Sequence, residues 1–259
     1  MIRGLYTSGY SMLTLNRKMD TVANNIANVN TYGFKKDVVV FEEFSDVLAS
    51  RFFDTGNIPS GRPAPIGNMA LYNDIAEIHT DYTQGTLEQT GLNTDVAING
   101  DDGAFFCVAV PDGNGNFREY YTRDGSFKLD AEGRLVTRDG YMVMGNNGAI
   151  VLEGSNFIIS ETGAIIQNDV TVDTLRIRKF ENPESLRKYG MNLLTATDES
   201  TDGEFEGTLQ NGFLECSNVN TVSEMVDMIT VIRAYESNQK MIQYQDSTLE
   251  KAVNDIGRL

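Results

Sequence analysis

The residues able to do chemistry in this 259-residue chain are few, and their spacing works against most catalytic sites. There is one histidine, His79, so any Ser/His/Asp or Cys/His nucleophilic arrangement would have to be built on it. His79 sits in Ala76-Glu-Ile-His-Thr80, which alternates like a half-exposed strand. The two cysteines, Cys107 and Cys216, lie too far apart in sequence to form a zinc constellation with that one imidazole. They read as free thiols, one in an apolar strand and one before a helix. Asp112-Gly-Asn-Gly-Asn116 begins like a calcium loop, but Phe117 and Arg123 stand where such a loop needs glycine and glutamate. The carboxylate pairs Glu42/Glu43 and Asp101/Asp102 follow from an acidic composition and have no supporting context for glycoside hydrolysis. Neither a phosphate-cradling Gly-x-x-x-x-Gly-Lys loop nor a dinucleotide fingerprint occurs. Catalytic, cofactor-binding and metal-binding residues are therefore all expected to be none, with no small-molecule ligand and no enzyme activity.

Charge points the same way. The formal net charge is −16, with about +3 in residues 1–40, −2 in residues 221–259 and −17 in the stretch between them. The ends are nearly neutral together, and the middle is strongly acidic and well solvated. No basic patch is present to neutralise phosphates, which argues against nucleic acid as a partner. No apolar run is long enough to span a bilayer. Arg3 is followed by Thr7, Ser8, Gly9 and Ser11, which interrupt any apolar core of a cleaved signal peptide.

The elements that would position side chains fall into three parts. Apolar residues at Leu5, Met12, Leu15, Met19, Val22, Ile26 and Val29 keep alternating three- and four-residue steps, with a miss at Ser8. Met225, Met228, Ile232, Tyr235, Ile242, Leu249, Val253 and Ile256 repeat that rhythm at the other end, interrupted by Gln239 and Asp246. Each stripe predicts a long helix with one adhesive edge that needs a partner helix. Residues 1–30 and 221–259 together are expected to form a terminal helical assembly domain, the two helices meeting as a coiled-coil-like pair. Gly33 is expected as a left-handed cap of the first helix, with Lys35 and Lys36 near the negative end of its dipole and Phe34 folded back onto the last turn. Asn24, Asn25, Asn28 and Asn30 flank the apolar seam, where buried amides would fix register at a cost in stability.

Residues 31–75 read as an extended arm, with Val38–Phe44 extended and the Pro- and Gly-rich run 54–68 a loop or extended arm rather than a helix. Residues 76–220 switch to short strands separated by turn dipeptides such as Asp124-Gly125, Glu132-Gly133 and Asp139-Gly140. That spacing describes an antiparallel β domain of hairpins. The fold class is α+β: long N- and C-terminal helices around a central antiparallel all-β domain.

Ala23-Asn-Asn-Ile-Ala-Asn-Val-Asn-Thr-Tyr-Gly-Phe-Lys35 closely resembles the N-terminal signature of the bacterial flagellar axial proteins, the rod and hook subunits. Gln84-Gly-Thr-Leu-Glu-Gln-Thr-Gly91, Asp95-Val-Ala-Ile-Asn-Gly100, Tyr121-Thr-Arg-Asp-Gly-Ser-Phe127 and Gly133-Arg-Leu-Val-Thr137 resemble the β-domain hairpins of that family. Leu214-Glu-Cys-Ser-Asn-Val-Asn220, with Glu224-Met-Val-Asp-Met-Ile229 and Arg233-Ala-Tyr-Glu236, resembles its closing motif. The one departure is Cys216, where a small residue is expected. The length is similar to that of rod subunits.

The resemblance implies a structural subunit of the flagellar basal-body rod. It would polymerise through its terminal helices into a hollow shaft that transmits torque and passes exported subunits. Its implied partners are further copies of itself in a helical polymer, neighbouring rod and hook proteins, the flagellar type III export apparatus and the surrounding envelope rings. Export would need no cleaved signal peptide. The expected assembly interface is Leu5, Met12, Leu15, Met19, Val22, Asn25, Ile26, Asn28, Val29, Gly33, Phe34, Met225, Met228, Ile232, Tyr235, Ile242, Leu249 and Val253. The alternative is a secreted oligomeric β-domain adhesin or binding module that uses its helices to trimerise. An uninterrupted seam would suit a closed trimer, and Ser8, Gln239 and Asp246 argue against one. An envelope enzyme acting on peptidoglycan is a third class, and no constellation of residues speaks for it.

Overall fold

The computed structural model describes residues 2–43, 47–51, 64–69, 73–112, 116–154 and 156–256. Two compact units emerge, each built from separate stretches of the chain. One comprises residues 1–24, 37–79 and 222–259, and the other residues 25–36 and 80–221.

The first unit carries most of both long helices. Helix α1 spans Ile2–Ala27, its last turn belonging to the second unit, and α2 spans Thr221–Lys251 and continues as a π-helical turn over Ala252–Ile256. With them go strands β1 (Asp37–Glu43), β2 (Val47–Arg51), β3 (Ala64–Met69) and β4 (Asn73–Thr80), paired as β1 with β4 and β2 with β3. Within the run 54–68, expected as a loop or extended arm, the described residues are extended. Residues 64–69 pair antiparallel with β2 despite Pro65, where the ladder shifts register between Ala49 and Ser50. An irregularity of that kind is where a strand tolerates a residue lacking an N–H. Residues 52–63 lie outside the described residues.

The second unit is antiparallel β, as the turn dipeptides predict. Its strands are β5 (Leu87–Gln89), β6 (Val96–Asn99), β7 (Ala104–Asp112), β8 (Asn116–Thr122), β9 (Phe127–Leu129), β10 (Leu135–Thr137), β11 (Met142–Gly145) and β12 (Gly148–Ala149). They continue as β13 (Ile158–Ile159), β14 (Ala164–Gln167), β15 (Val170–Thr174), β16 (Ile177–Phe180), β17 (Arg187–Tyr189) and β18 (Leu193–Thr195). Last come β19 (Asp202–Gly203), β20 (Thr208–Asn211) and β21 (Phe213–Glu215). The main sheet runs β17-β18-β8-β7-β11-β10-β9, with β16 also on β7. Strand β7 is central and covered on both sides, which is why Ala104–Val110 is apolar without alternation. Phe106 and Val108 enter the larger core with Ile98, Phe127, Leu135 and Ile165, while Phe105 and Cys107 pack with Tyr82, Tyr121 and Phe180.

Glycine makes two of the expected turns possible, with Gly133 at φ 78° and Gly140 at φ 90°. A third hairpin turn, between β14 and β15, puts Asn168 and Asp169 at φ 52° and 61°, both left-handed. The chain closes on itself through its last strands. β20 pairs with β6 and β21 with β5, bringing the residues that lead to α2 against the first strands of the unit.

Candidate functional site

Helix α1 is covered along a line that the hydropathy stripe only partly follows. Val22 is buried and Met12, Leu15 and Met19 are half-buried, but Leu5 is exposed. Between them the buried positions are Ser8, Thr14 and Thr21, all small and polar. The Thr14 hydroxyl lies 2.9 Å from the Tyr10 carbonyl and 3.2 Å from the Asn73 carbonyl at the start of β4. Gly4 comes close to α2, since a Cβ placed there would lie 2.5 Å from Gln245 Nε2. Small residues on this line permit close approach, and the apparent miss at Ser8 belongs to the covered face.

On α2 the covered line runs through Met228, Val231, Tyr235, Ile242, Gln245 and Leu249, with Val231 fully buried. Met225, Val226, Ile229, Ile232, Met241, Tyr244 and Val253 stay exposed. The apolar surface of α2 thus exceeds the face covered within the chain. Asn25 and Asn28 are buried, Ile26 and Val29 half-buried, and Asn24 and Asn30 exposed, so the asparagine cluster splits evenly.

Gly33 and Phe34 are both buried. Gly33 has the expected left-handed conformation, φ 69°, but helix α1 has ended at Ala27, so Gly33 is not its cap. Its reason is proximity. A Cβ there would meet the backbone at Asp124 N (2.4 Å) and Arg123 C (2.5 Å), and its N–H donates to the Glu215 carbonyl at 2.8 Å. Phe34 lies beneath the Lys188 ammonium, 4.9 Å from the ring centroid. Lys35 and Lys36, expected beside the end of α1, instead make specific pairs within the β unit.

Lys35 belongs to a buried ionic cluster. Glu215, 2% exposed at the end of β21, accepts from Lys35 Nζ at 2.6 Å through one oxygen and from Arg123 Nε at 2.6 Å through the other. The Gly85 N–H adds a third bond to the carboxylate at 3.0 Å. Lys35 also donates to the Thr83 carbonyl at 2.7 Å, and Arg123 to the carbonyls of Asp101 and Ala104. Burial alone would raise the Glu215 pKa, but the Arg123 and Lys35 charges outweigh it and hold the carboxyl below its ordinary value. Lys35 is pulled down by burial, Glu215 opposing that and Arg123 adding to it.

A second clip lies alongside. The Asn218 side chain accepts from the Lys36 N–H at 2.8 Å and donates to the Asp81 carbonyl at 2.8 Å, and Lys36 pairs with the Asp81 carboxylate at 3.4 Å. Lys35, Arg123, Glu215 and Asn218 each fall inside a motif quoted above, yet in an acidic chain they read as solvated charges and loop residues. Their partners are up to 182 residues away. No periodicity reports such a separation.

Comparison with known proteins decides what this architecture belongs to. Residues 5–35 match the family described as flagella basal body rod protein, residues 97–182 the D1 domain of flagellar hook protein FlgE/F/G, and residues 210–255 the C-terminal region of flagellar basal body rod FlgEFG protein. The flagellar basal-body rod protein FlgG of Borreliella burgdorferi is 38% identical, the match covering 98% of each chain. The chain belongs to the flagellar basal-body rod protein family. FlgG of Bacillus subtilis is 34% identical over 98% of this chain and 99% of its own, and FlgF of Mesorhizobium japonicum is 30% identical over 98% and 97%. The rod family is structural, and this member is not an enzyme. The first rod match ends at Lys35, the D1 match contains Arg123, and the C-terminal match contains Glu215. The buried triad therefore draws one residue from each of the three matched regions.

Proposed function

We propose that this chain is a structural rod subunit of the flagellar basal body that polymerises through α1 and α2 into a hollow helical shaft, with the β unit as its rigid body. The observation that carries the proposal is the apolar surface of α2 left exposed after its inner line is covered: Met225, Val226, Ile229 and Ile232 stay exposed among the described residues. The Gly4–Gln245 approach favours α1 and α2 meeting as an antiparallel, coiled-coil-like pair. The remaining apolar residues would then contact other copies through several different patches. Such heterologous contacts do not close into a ring of two and so extend into a filament. Torque would pass between copies through interlocked helices. Neighbouring rod and hook proteins, the type III export apparatus and the envelope rings are the further partners of this reading, with export independent of a cleaved signal peptide. The names of its relatives favour a rod subunit over a trimeric adhesin.

Electron microscopy of basal bodies from a strain lacking this protein tests the reading; truncated rods and lost motility are expected, and normal rods would overturn it. A single-residue test uses Ile232→Asp. A buried unpaired carboxylate is costly, so this variant is expected to stay out of basal bodies while its β unit folds normally. Normal incorporation would remove Ile232 from the interface.

A further inference from the structure

Beside the buried triad lies a cavity of about 20 Å³. Its walls include Phe34, Tyr82, Phe105 and Leu194, and four polar side chains, Lys35, Arg123, Lys188 and Asn192, also line it. Lys35 and Lys188 have their partners, but Arg123 and Asn192 each contribute a buried atom that has no hydrogen-bond partner in the protein: Arg123 Nη2, a donor, and Asn192 Oδ1, an acceptor. The rest of both side chains is committed. Arg123 uses Nε on Glu215 and Nη1 on the carbonyls of Asp101 and Ala104. Asn192 Nδ2 donates to the Tyr32 carbonyl at 3.3 Å, which fixes the amide orientation and leaves Oδ1 as the free acceptor.

We propose that this cavity is the binding site of one structural water molecule, which accepts from Arg123 Nη2 and donates to Asn192 Oδ1. The chemistry selects water over the other small occupants. An anion would suit Arg123, Lys35 and Lys188 but leave the Asn192 amide oxygen without a donor, and a cation would be repelled by all three. Water alone offers an acceptor and a donor at once. The volume suits it, since a site of about 10–15 Å³ is enough for one water when polar partners are present. An unpaired buried guanidinium nitrogen is costly, and water removes that cost without a further side chain. The water also extends the triad to the segment between β17 and β18. Asn192 there holds the Tyr32 carbonyl, so residues 32, 123, 192 and 215 become one connected polar network.

The test is a crystal structure of the full chain at a resolution that shows ordered water elsewhere in the β unit. A peak within about 3.2 Å of both Arg123 Nη2 and Asn192 Oδ1 is expected. An empty cavity, a peak that refines as chloride, or Arg123 Nη2 bonded directly to a protein oxygen would overturn the proposal. Oxygen-17 relaxation dispersion on the full-length protein gives an independent reading by counting long-lived waters. Asn192→Leu, which removes the acceptor and fills space, is expected to lose one such water, whereas Asn192→Asp retains it. An unchanged count in Asn192→Leu would contradict the assignment, and the wild-type crystal structure decides the matter even if that variant does not fold.

Discussion

Replacing Glu215 by glutamine changes one atom and is expected to cost the β unit more than any surface substitution. The carboxylate gives one oxygen to Lys35 and the other to Arg123, each at 2.6 Å, and neither the acid nor its partners exceed 4% exposure. A glutamine has one acceptor and one donor end. Whichever way the amide turns, an N–H₂ group faces either the ammonium or the guanidinium, and two positive charges remain buried without a counter-charge. Breaking a buried pair from one side costs about 3–5 kcal/mol. With a urea m-value of about 2 kcal/mol/M for a unit of this size, the unfolding midpoint should fall by about 1.5–2.5 M. The chain has no tryptophan, so near-ultraviolet circular dichroism of its tyrosines is the suitable probe, and the buried Tyr82 and Tyr121 place that signal in the β unit.

The control is Asp202→Asn. Asp202 also pairs bidentately with an arginine, Arg178, but its side chain is 53% exposed. Exposed pairs contribute about 0–1 kcal/mol, so this variant should shift the midpoint by less than 0.5 M on the same scale. A Glu215→Gln shift no larger than that of Asp202→Asn would refute the reasoning. The pH dependence supplies a second check. Because the Glu215 pKa is lowered in the folded state, its contribution is present above the unfolded value of about 4.3 and is lost as pH falls through the folded value. The stability gap between wild type and Glu215→Gln should therefore narrow on acidification and stay constant between pH 6 and 8. Replacing the whole triad by Lys35→Met, Arg123→Met and Glu215→Leu should recover most of the loss, because no unpaired charge then remains.

Gly33→Ala should destabilise the β unit by at least about 3 kcal/mol, since left-handed strain adds to a clash with the Arg123–Asp124 backbone. Gly100→Ala, at φ 86° with open space around it, should cost only about 1–2 kcal/mol in the same urea assay, and equal losses would discredit the close-approach argument. Asn218→Ala should cost about 1–3 kcal/mol by leaving the Lys36 N–H and the Asp81 carbonyl unmatched. Alkylation at pH 8 should modify Cys216 in the folded protein but not Cys107, whose thiol is buried and pushed up to about 12, until denaturant is added. Mass spectrometry of the labelled chain reads this directly.

Particular residues show what was legible in the sequence. Gly133 and Gly140 mark their turns because only glycine adopts those φ values without strain, and Ala104–Val110 marks the central strand because both its faces are covered. Periodicity predicts two long helices but does not set the phase of the covered face. Ser8 and Thr14 on α1, like Gln245 on α2, are too polar to register in an apolar stripe, while exposed Met225 and Ile232 register strongly. The triad was illegible for a different reason. Lys35 and Glu215 meet across 180 residues of chain, and charge composition alone casts both as solvated.

Under the proposed assembly through the terminal helices, that long-range closure is what makes them usable. The Gly33 N–H reaches the Glu215 carbonyl at 2.8 Å, and the Asn218 side chain holds the Lys36 N–H at 2.8 Å. The segment that follows α1 and the segment that precedes α2 therefore run side by side, held by a backbone bond, the Asn218 side chain and the buried charge network. The two stretches by which the chain enters and leaves the β unit are thus held together within it. A loose junction would let each helix search for partners independently, at a large cost in conformational entropy on assembly. With both chain ends clamped by Glu215 and Asn218, that cost is met when the β unit folds. Variants that loosen the clamp, Glu215→Gln foremost, should therefore impair incorporation into rods even at concentrations where the β unit remains folded.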